Sequence, residues 1–177
     1  LSTVDTINTG RRDRVAALAR QAAGGTLAGK RVAVLGVAFK PNSDDVRDSP
    51  SLAVCSRLAA EGAIVSVHDP VAMPSAAKRQ PDLIYAPSVF DAAEGADLML
   101  HLTEWSDYQA IDPAALARVV ARQVIIDARC CLDADQWRAA GWSLRRARYS
   151  RCPRSALTCW RCGSGCSGSK RSGRGRG

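Results

Sequence analysis

Apolar positions recur at near-helical intervals along the first 23 residues. Val4, Ile7, Val15, Leu18 and Ala22 form one face, with Arg11, Arg12 and Arg14 set between them, which predicts a helix over 3–23. Gly24-Gly25 closes it, because glycine supplies the backbone freedom a helix end needs. The pattern then changes to short apolar runs. Residues 31–37 (RVAVLGV), 64–67, 83–85, 96–102 (ADLMLHL) and 124–127 (VIID) read as buried strands, and Trp142 and Leu144 begin a last one. Between them lie helical stretches over 49–59, 88–94, 113–120 and 134–140. Ser49-Pro50 has the form of an N-cap followed by proline at the first helical position.

Strands that alternate with short helices imply βαβ crossovers. The expected fold class is therefore α/β: a doubly wound, parallel, Rossmann-like sheet preceded by one linker helix. The chain has 177 residues, enough for one domain with some left over. After about Tyr149 the periodicity stops. The sequence turns to Arg, Gly, Ser and Cys, which bury too little apolar surface to offset the entropy of ordering, so 149–177 is expected to be disordered.

Charge follows the same division. The net charge is +8, but ten of the 25 basic residues lie in 144–177, where there is no Asp or Glu. Residues 1–143 thus hold fifteen basic against 17 acidic groups and are slightly acidic. No apolar run reaches the ~20 residues of a membrane span, and no signal peptide pattern is present. The expectation is a soluble, cytoplasmic protein without a membrane partner. The chain opens on Leu1 rather than Met, which fits a piece of a longer protein.

Seven cysteines make an odd count, with Cys55, Cys130 and Cys131 in the body and Cys152, Cys159, Cys162 and Cys166 in the tail. A disulfide framework is not expected. The tail spacing C-x2-C-x3-C resembles a zinc site only weakly, since no His lies near it, and no metal is expected. Its RSGRGRG ending has the composition of a nucleic-acid arm, a reading that nothing in the body supports.

The stretch richest in chemistry is Gly36-Val-Ala-Phe-Lys-Pro-Asn-Ser-Asp-Asp-Val-Arg-Asp-Ser-Pro50. It leaves the first strand at the sheet edge where doubly wound folds bind ligands. Lys40 and Arg47 bring cations, and the helix starting at Ser49 brings a positive N-terminus, so a pyrophosphate would be matched there. A charged βα loop is also common in α/β domains without any ligand. Gly36 stands outside a G-x-G-x-x-G pattern, so the spacing does not assign NAD to this loop.

These residues resemble the opening of the C-terminal, UDP-binding domain of the UDP-glucose/GDP-mannose dehydrogenase family. Further segments follow in the family's order. His68-Asp69-Pro70 resembles its Y-D-P, Thr103-Glu-Trp105 its T-E-W, and Ile126-Asp-Ala-Arg129 its I-D-G-R. The T-E-W segment is more similar to the UDP-glucose branch than to the GDP-mannose or UDP-N-acetylmannosamine branches. The resemblance covers roughly residues 1–145. It implies a central dimerisation helix ending over 1–25, which would make a homodimer in the intact family, and a UDP-sugar-binding domain over 29–148. It also implies oxidation of UDP-glucose to UDP-glucuronate with two NAD, through a cysteine thiohemiacetal and thioester. Phe39, Lys40 and Arg129 would contact the UDP-sugar substrate, and Arg47 the NAD cofactor held mainly by an N-terminal domain.

Departures from the family pattern set further expectations. No glycine fingerprint and no Gly-rich catalytic segment with Cys before Pro-Lys-Asp occur in this sequence. No catalytic residue is therefore assigned, and the chain by itself is expected to be inactive. Cys55 reads as a core residue, and Cys130 and Cys131 as incidental. Ala128 stands where the family has Gly, and a positive φ there would strain it and displace Arg129. His68 and His101 read as structural and packed, respectively. The loss of resemblance after Gly141-Trp142 is what a shifted reading frame in GC-rich coding sequence produces. The alternatives are a stand-alone nucleotide-sugar-binding module, a fragment from the UDP-N-acetylmannosamine or GDP-mannose branch, or a nucleic-acid-binding protein.

Overall fold

Six short parallel strands form the centre of the chain. A computed structural model describes residues 2–147, so the basic tail expected over 149–177 lies outside the described residues. The strands are β1 (Arg31–Leu35), β2 (Ile64–His68), β3 (Ile84–Tyr85), β4 (Leu98–His101), β5 (Val124–Asp127) and β6 (Ser143–Arg146). Their order is β3-β2-β1-β4-β5-β6, the doubly wound order, and every pair is parallel. The strand order reverses between β1 and β4, which pair from Val32↔Leu98 to Leu35↔His101.

The helices are α1 (Ser2–Ala22), α2 (Pro50–Ala60), α3 (Met73–Arg79), α4 (Val89–Ala93), α5 (Ser106–Gln109), α6 (Pro113–Leu116) and α7 (Ala134–Ala139). Both faces of the central strands are covered, so β4 and β5 are buried at every position. Helix α1 lays Val15, Ala16, Ala19 and Ala22 against α2 and the sheet. Small side chains at these positions let the helix approach closely. Arg20 then reaches Glu61 at the end of α2 through two hydrogen bonds of 3.0 and 2.6 Å.

The strand expected over 31–37 ends at Leu35. Gly36 takes φ +89°, and a Cβ on it would lie 2.5 Å from the Thr103 Cβ. The chain turns there because only glycine fits both the angle and the space. Helices α3 and α5 were not expected; they are seven and four residues long, too short to show a periodic face. Helix α6 stops at Leu116, short of the expected 120. The last strand forms as expected, with Leu144 buried and paired to Ile125. Trp142 packs edge-on against Trp137 at 4.9 Å and donates from Nε1 to the Pro113 carbonyl.

Two buried carboxylates bind the loops at the carboxyl edge of this sheet. Asp69, just after β2, is fully buried. Its Oδ2 accepts from the amides of Val37 and Ala38 at 2.8 and 3.0 Å and from Trp105 Nε1 at 3.3 Å. Its Oδ1 accepts from the amides of Val71 and Ala72 at 3.1 and 2.8 Å. One carboxylate therefore ties the loops after β1, β2 and β4 together. Asp127, the last residue of β5, is also fully buried and does the same for its own loop. Its Oδ1 accepts from the amides of Arg129 and Cys130, and its Oδ2 from Leu132.

Strain at Ala128 was expected only if its backbone needed a positive φ, and that condition is not met. The positive φ in this loop falls on Cys130, at 57°, and Ala128 is not among the residues with positive φ. The Asp127 carboxylate holds the turn directly, so a side chain at position 128 is accommodated.

Gly36→Ala is expected to lower the stability of the chain by about 3 kcal/mol or more, through overpacking and backbone strain together. A urea titration followed by circular dichroism would measure it, and a wild-type midpoint would refute the account of this turn. Asp69→Ala removes the acceptor from five buried or half-buried donors. An expected loss of at least about 3 kcal/mol follows from leaving such groups unpaired, and the same titration would detect it.

Candidate functional site

The loop of residues 36–49 leaves β1 at the point where the strand order reverses. It is long for a βα connection, yet it is pinned on several sides. The Phe39 amide donates to the Asp45 carbonyl at 2.9 Å. Thr103 Oγ1 donates to the Ala38 carbonyl at 3.0 Å, and Ser51 Oγ to the Leu102 carbonyl at 3.2 Å. Ser49 serves twice: its hydroxyl donates to the Val37 carbonyl at 2.6 Å and accepts from the Leu52 amide at the start of α2. Asn42 and Asp48 take left-handed backbone conformations, which their short polar side chains tolerate.

This bracing leaves Phe39 and Lys40 outside. Phe39 is 53% exposed, high for an aromatic side chain in a folded domain. Lys40 is exposed and makes no ion pair among the described residues. Arg47 is different. Its Nε and Nη2 donate to the two carboxylate oxygens of Asp45 at 3.0 and 2.9 Å, while its amide also donates to Asp45. These hydrogen bonds hold the Asp45 carboxyl down at about 2 and raise the Arg47 guanidinium above its usual value. The pair is a surface one, with the Arg47 side chain 76% exposed, so solvent screening leaves Arg47 able to exchange partners.

Arg129 rises from the β5–α7 loop, and its Nε donates to Glu104 on the β4–α5 loop. Both side chains are about one-third exposed. Burial pushes the Glu104 carboxyl up, but the hydrogen bond and charge of Arg129 more than offset it and leave it below the usual range. Glu104 is therefore ionised and holds the guanidinium at the carboxyl edge of the sheet. Among the described residues no hydrogen bond or ion pair joins Lys40 or Arg47 to Arg129. The three cations share one edge of the sheet, Lys40 and Arg47 from the loop after β1 and Arg129 from the loop after β5.

The two histidines differ. Tyr108 donates its hydroxyl proton to the His68 carbonyl at 2.9 Å, so the 3.1 Å contact with His68 Nδ1 has Nδ1–H as donor. Burial pushes the His68 imidazole down, and it also pushes the Tyr108 phenol up. These bonds suit the structural role expected of His68. His101 is buried as expected, but it is more than packed. Its Nδ1 lies 2.9 Å from Asp127 Oδ1, a pairing across β4 and β5 that strand spacing does not reveal.

The residues present do not make a dinucleotide cradle. A Rossmann NAD site needs glycines that let a pyrophosphate approach a helix N-terminus. Here Thr103 occupies the space beside Gly36, and the Ser49 hydroxyl takes up the Leu52 amide at the start of α2. Cys55 is fully buried, and burial pushes its thiol up to about 12, which fits a core residue and not a nucleophile. Burial also raises the Cys131 thiol, while Cys131 Sγ donates to the Arg129 carbonyl. Among the described residues no group of three His, Cys, Asp or Glu could hold a metal ion. Nor is any helix of the described residues long and apolar enough to cross a membrane. The cysteines of the tail lie outside the described residues.

Comparison with known proteins agrees with this geometry. A family model described as the UDP-glucose/GDP-mannose dehydrogenase family, UDP binding domain, matches residues 33–134. The chain is 36% identical over 129 residues to a UDP-glucose 6-dehydrogenase of Rhizobium meliloti, covering 73% of this chain and 30% of that protein. It is 40% identical over 123 residues to a UDP-glucose 6-dehydrogenase of Haloferax volcanii, covering 70% and 28%. Among solved structures, a UDP-glucose dehydrogenase from Pyrobaculum islandicum aligns with a TM-score of 0.65 at 28% identity, over 79% of this chain and 32% of that one. An NDP-N-acetyl-D-galactosaminuronic acid dehydrogenase from Methanosarcina mazei aligns at 0.66 and 26%, over 81% and 29%. The chain thus spans about 30% of the length of the curated relatives it matches. With its sheet order, its braced loop and these matches taken together, the chain belongs to the UDP-glucose/GDP-mannose dehydrogenase family, over the part that the family model describes as the UDP binding domain.

Proposed function

We propose that this chain is the nucleotide-sugar-binding part of an NAD-dependent UDP-glucose 6-dehydrogenase. Such an enzyme converts UDP-glucose, two NAD+ and water to UDP-glucuronate and two NADH. The observation that carries the reading is the loop of residues 36–49. It is braced by several hydrogen bonds, yet it presents to solvent an aromatic ring and an ammonium that has no ion-pair partner among the described residues, and it lies within the part matched to the UDP binding domain.

Each site residue has a physical task in this reading. Phe39 offers an apolar face to the nucleotide sugar. Lys40 supplies a point charge for a phosphate, and Arg129 a planar fork for phosphate or hydroxyl oxygens. Glu104 keeps that fork in place until the ligand arrives. Arg47 leaves Asp45 to reach NAD held by another domain; the exposed, screened pair costs little to break. The segment 1–25, which holds α1, is the end of a central helix through which two copies join in the intact protein, the binding domain runs over 29–148, and the protein works in the cytoplasm. NAD supplies the hydride acceptor when bound, and this chain contributes binding and orientation only.

Calorimetry with UDP-glucose tests the site. Lys40→Ala is expected to weaken binding about tenfold, the worth of one hydrogen bond to a charged group. Unchanged affinity would remove Lys40 from the site. With UDP-glucose and NAD+, the 177-residue chain is expected to form no NADH. Turnover followed by NADH absorbance would overturn the assignment of the chemistry to other domains.

A further inference from the structure

Strands β4 and β5 end side by side in His101 and Asp127, paired in register and both fully buried. The imidazole Nδ1 lies 2.9 Å from Asp127 Oδ1. The carboxylate accepts three backbone amides besides, from Arg129 at 3.1 Å, Cys130 at 2.7 Å and Leu132 at 3.1 Å. These bonds and the neighbouring imidazole hold the Asp127 carboxyl below its usual range, although burial opposes them. An ionised carboxylate only accepts, so the proton of this contact sits on His101 Nδ1. The other ring nitrogen, Nε2, is buried without a partner among the described residues, and a proton there would be an unsatisfied buried donor. The ring itself stands edge-on to Tyr108 at 5.8 Å and 89°, which fixes its plane.

We propose that His101 is a positioning residue for Arg129: held in the Nδ1–H form, it orients the Asp127 carboxylate, which sets the turn that carries the Arg129 guanidinium to Glu104. The chain of contacts is continuous. His101 fixes one oxygen of Asp127, and that same oxygen receives the Arg129 and Cys130 amides. Cys130 needs a positive φ of 57° to complete the turn, a conformation that non-glycine residues keep only when their surroundings impose it. Without the imidazole donor, Asp127 loses its one side-chain partner among the described residues, the bond that settles its rotation between the amides of the turn.

The inference rests on the reading that Arg129 contacts the nucleotide sugar, and the experiment separates the two. His101→Leu removes the donor at similar volume. His101→Asn restores one, because the asparagine amide nitrogen occupies the place of Nδ1. UDP-glucose binding to the 177-residue chain is expected to weaken about tenfold in the Leu variant, as when an outer partner of a ligating side chain is lost, and to recover in the Asn variant. In an Arg129→Ala background the Leu change is expected to add no further loss, since the two act through one group. Independent losses that simply add would overturn the proposal. Amide resonances of residues 129–132 in the ligand-free chain give a second readout. They are expected to shift and exchange faster in the Leu variant and return in the Asn variant; unmoved amides would overturn the proposal. If Arg129→Ala itself leaves UDP-glucose affinity unchanged, the reading of Arg129 as a ligand falls, and the amide resonances alone decide the role of His101. Nitrogen chemical shifts of the wild-type imidazole close the test without any variant: an Nε2–H tautomer would refute the arrangement.

Discussion

The carboxylate of Asp69 is the interaction on which the arrangement of this site depends. It is a formal charge with no solvent contact, which in general is costly unless every lone pair finds a donor. Here five donors converge on its two oxygens. Two come from the residues directly after Gly36, two from the loop after β2, and one from Trp105 beyond β4. Three chain segments far apart in sequence are thus held at one point. The loop of residues 36–49 begins at that point, so the positions of Phe39 and Lys40 follow from it.

The turn at Gly36 is the other half of the same constraint. Because Gly36 has no Cβ, Thr103 comes close enough for its hydroxyl to bind the Ala38 carbonyl. Asp69 satisfies the amides of the turn, while Thr103 and Ser49 satisfy the carbonyls of Ala38 and Val37. A buried loop start has no water to serve these groups, and side chains serve them instead. Asp127 repeats the device at β5, with His101 as its side-chain partner and Arg129 as the residue presented. Both carboxylates sit at strand ends on the carboxyl edge, each one strand away from the reversal between β1 and β4.

The cations at this edge are held to different degrees. Lys40 has no anionic partner among the described residues, Arg47 is largely exposed where it lies on Asp45, and Arg129 is only about one-third exposed where it lies on Glu104. An anionic ligand would meet Lys40 with no exchange of partners, Arg47 after breaking a screened pair, and Arg129 against the strongest competition. That gradation follows from exposure, because the same charge separation is worth more where less water screens it.

Much of the fold could be read along the chain. Strand and helix patterns, the Ser49-Pro50 start of α2 and the final strand all rest on local physics, which sequence records directly. The family segments G-V-A-F-K-P, D-P, T-E-W and I-D-A-R all fall at the carboxyl edge of the sheet. Helices α3 and α5 escaped because seven and four residues, with few apolar side chains among them, are too short to carry a periodic signal. The strain expected at Ala128 was also decided elsewhere, since the left-handed residue is Cys130 and the support comes from Asp127. Sequence could name Asp69, Asp127, His68 and His101 but not their partners. Those bonds span 26 to 40 positions in the chain, and only the pairing of β1, β2, β4 and β5 brings the groups together. Local pattern thus determined which elements form and which family they make. Tertiary packing decided which charges are buried and paired and which stay free, because burial and partnership depend on neighbours that the chain supplies from a distance.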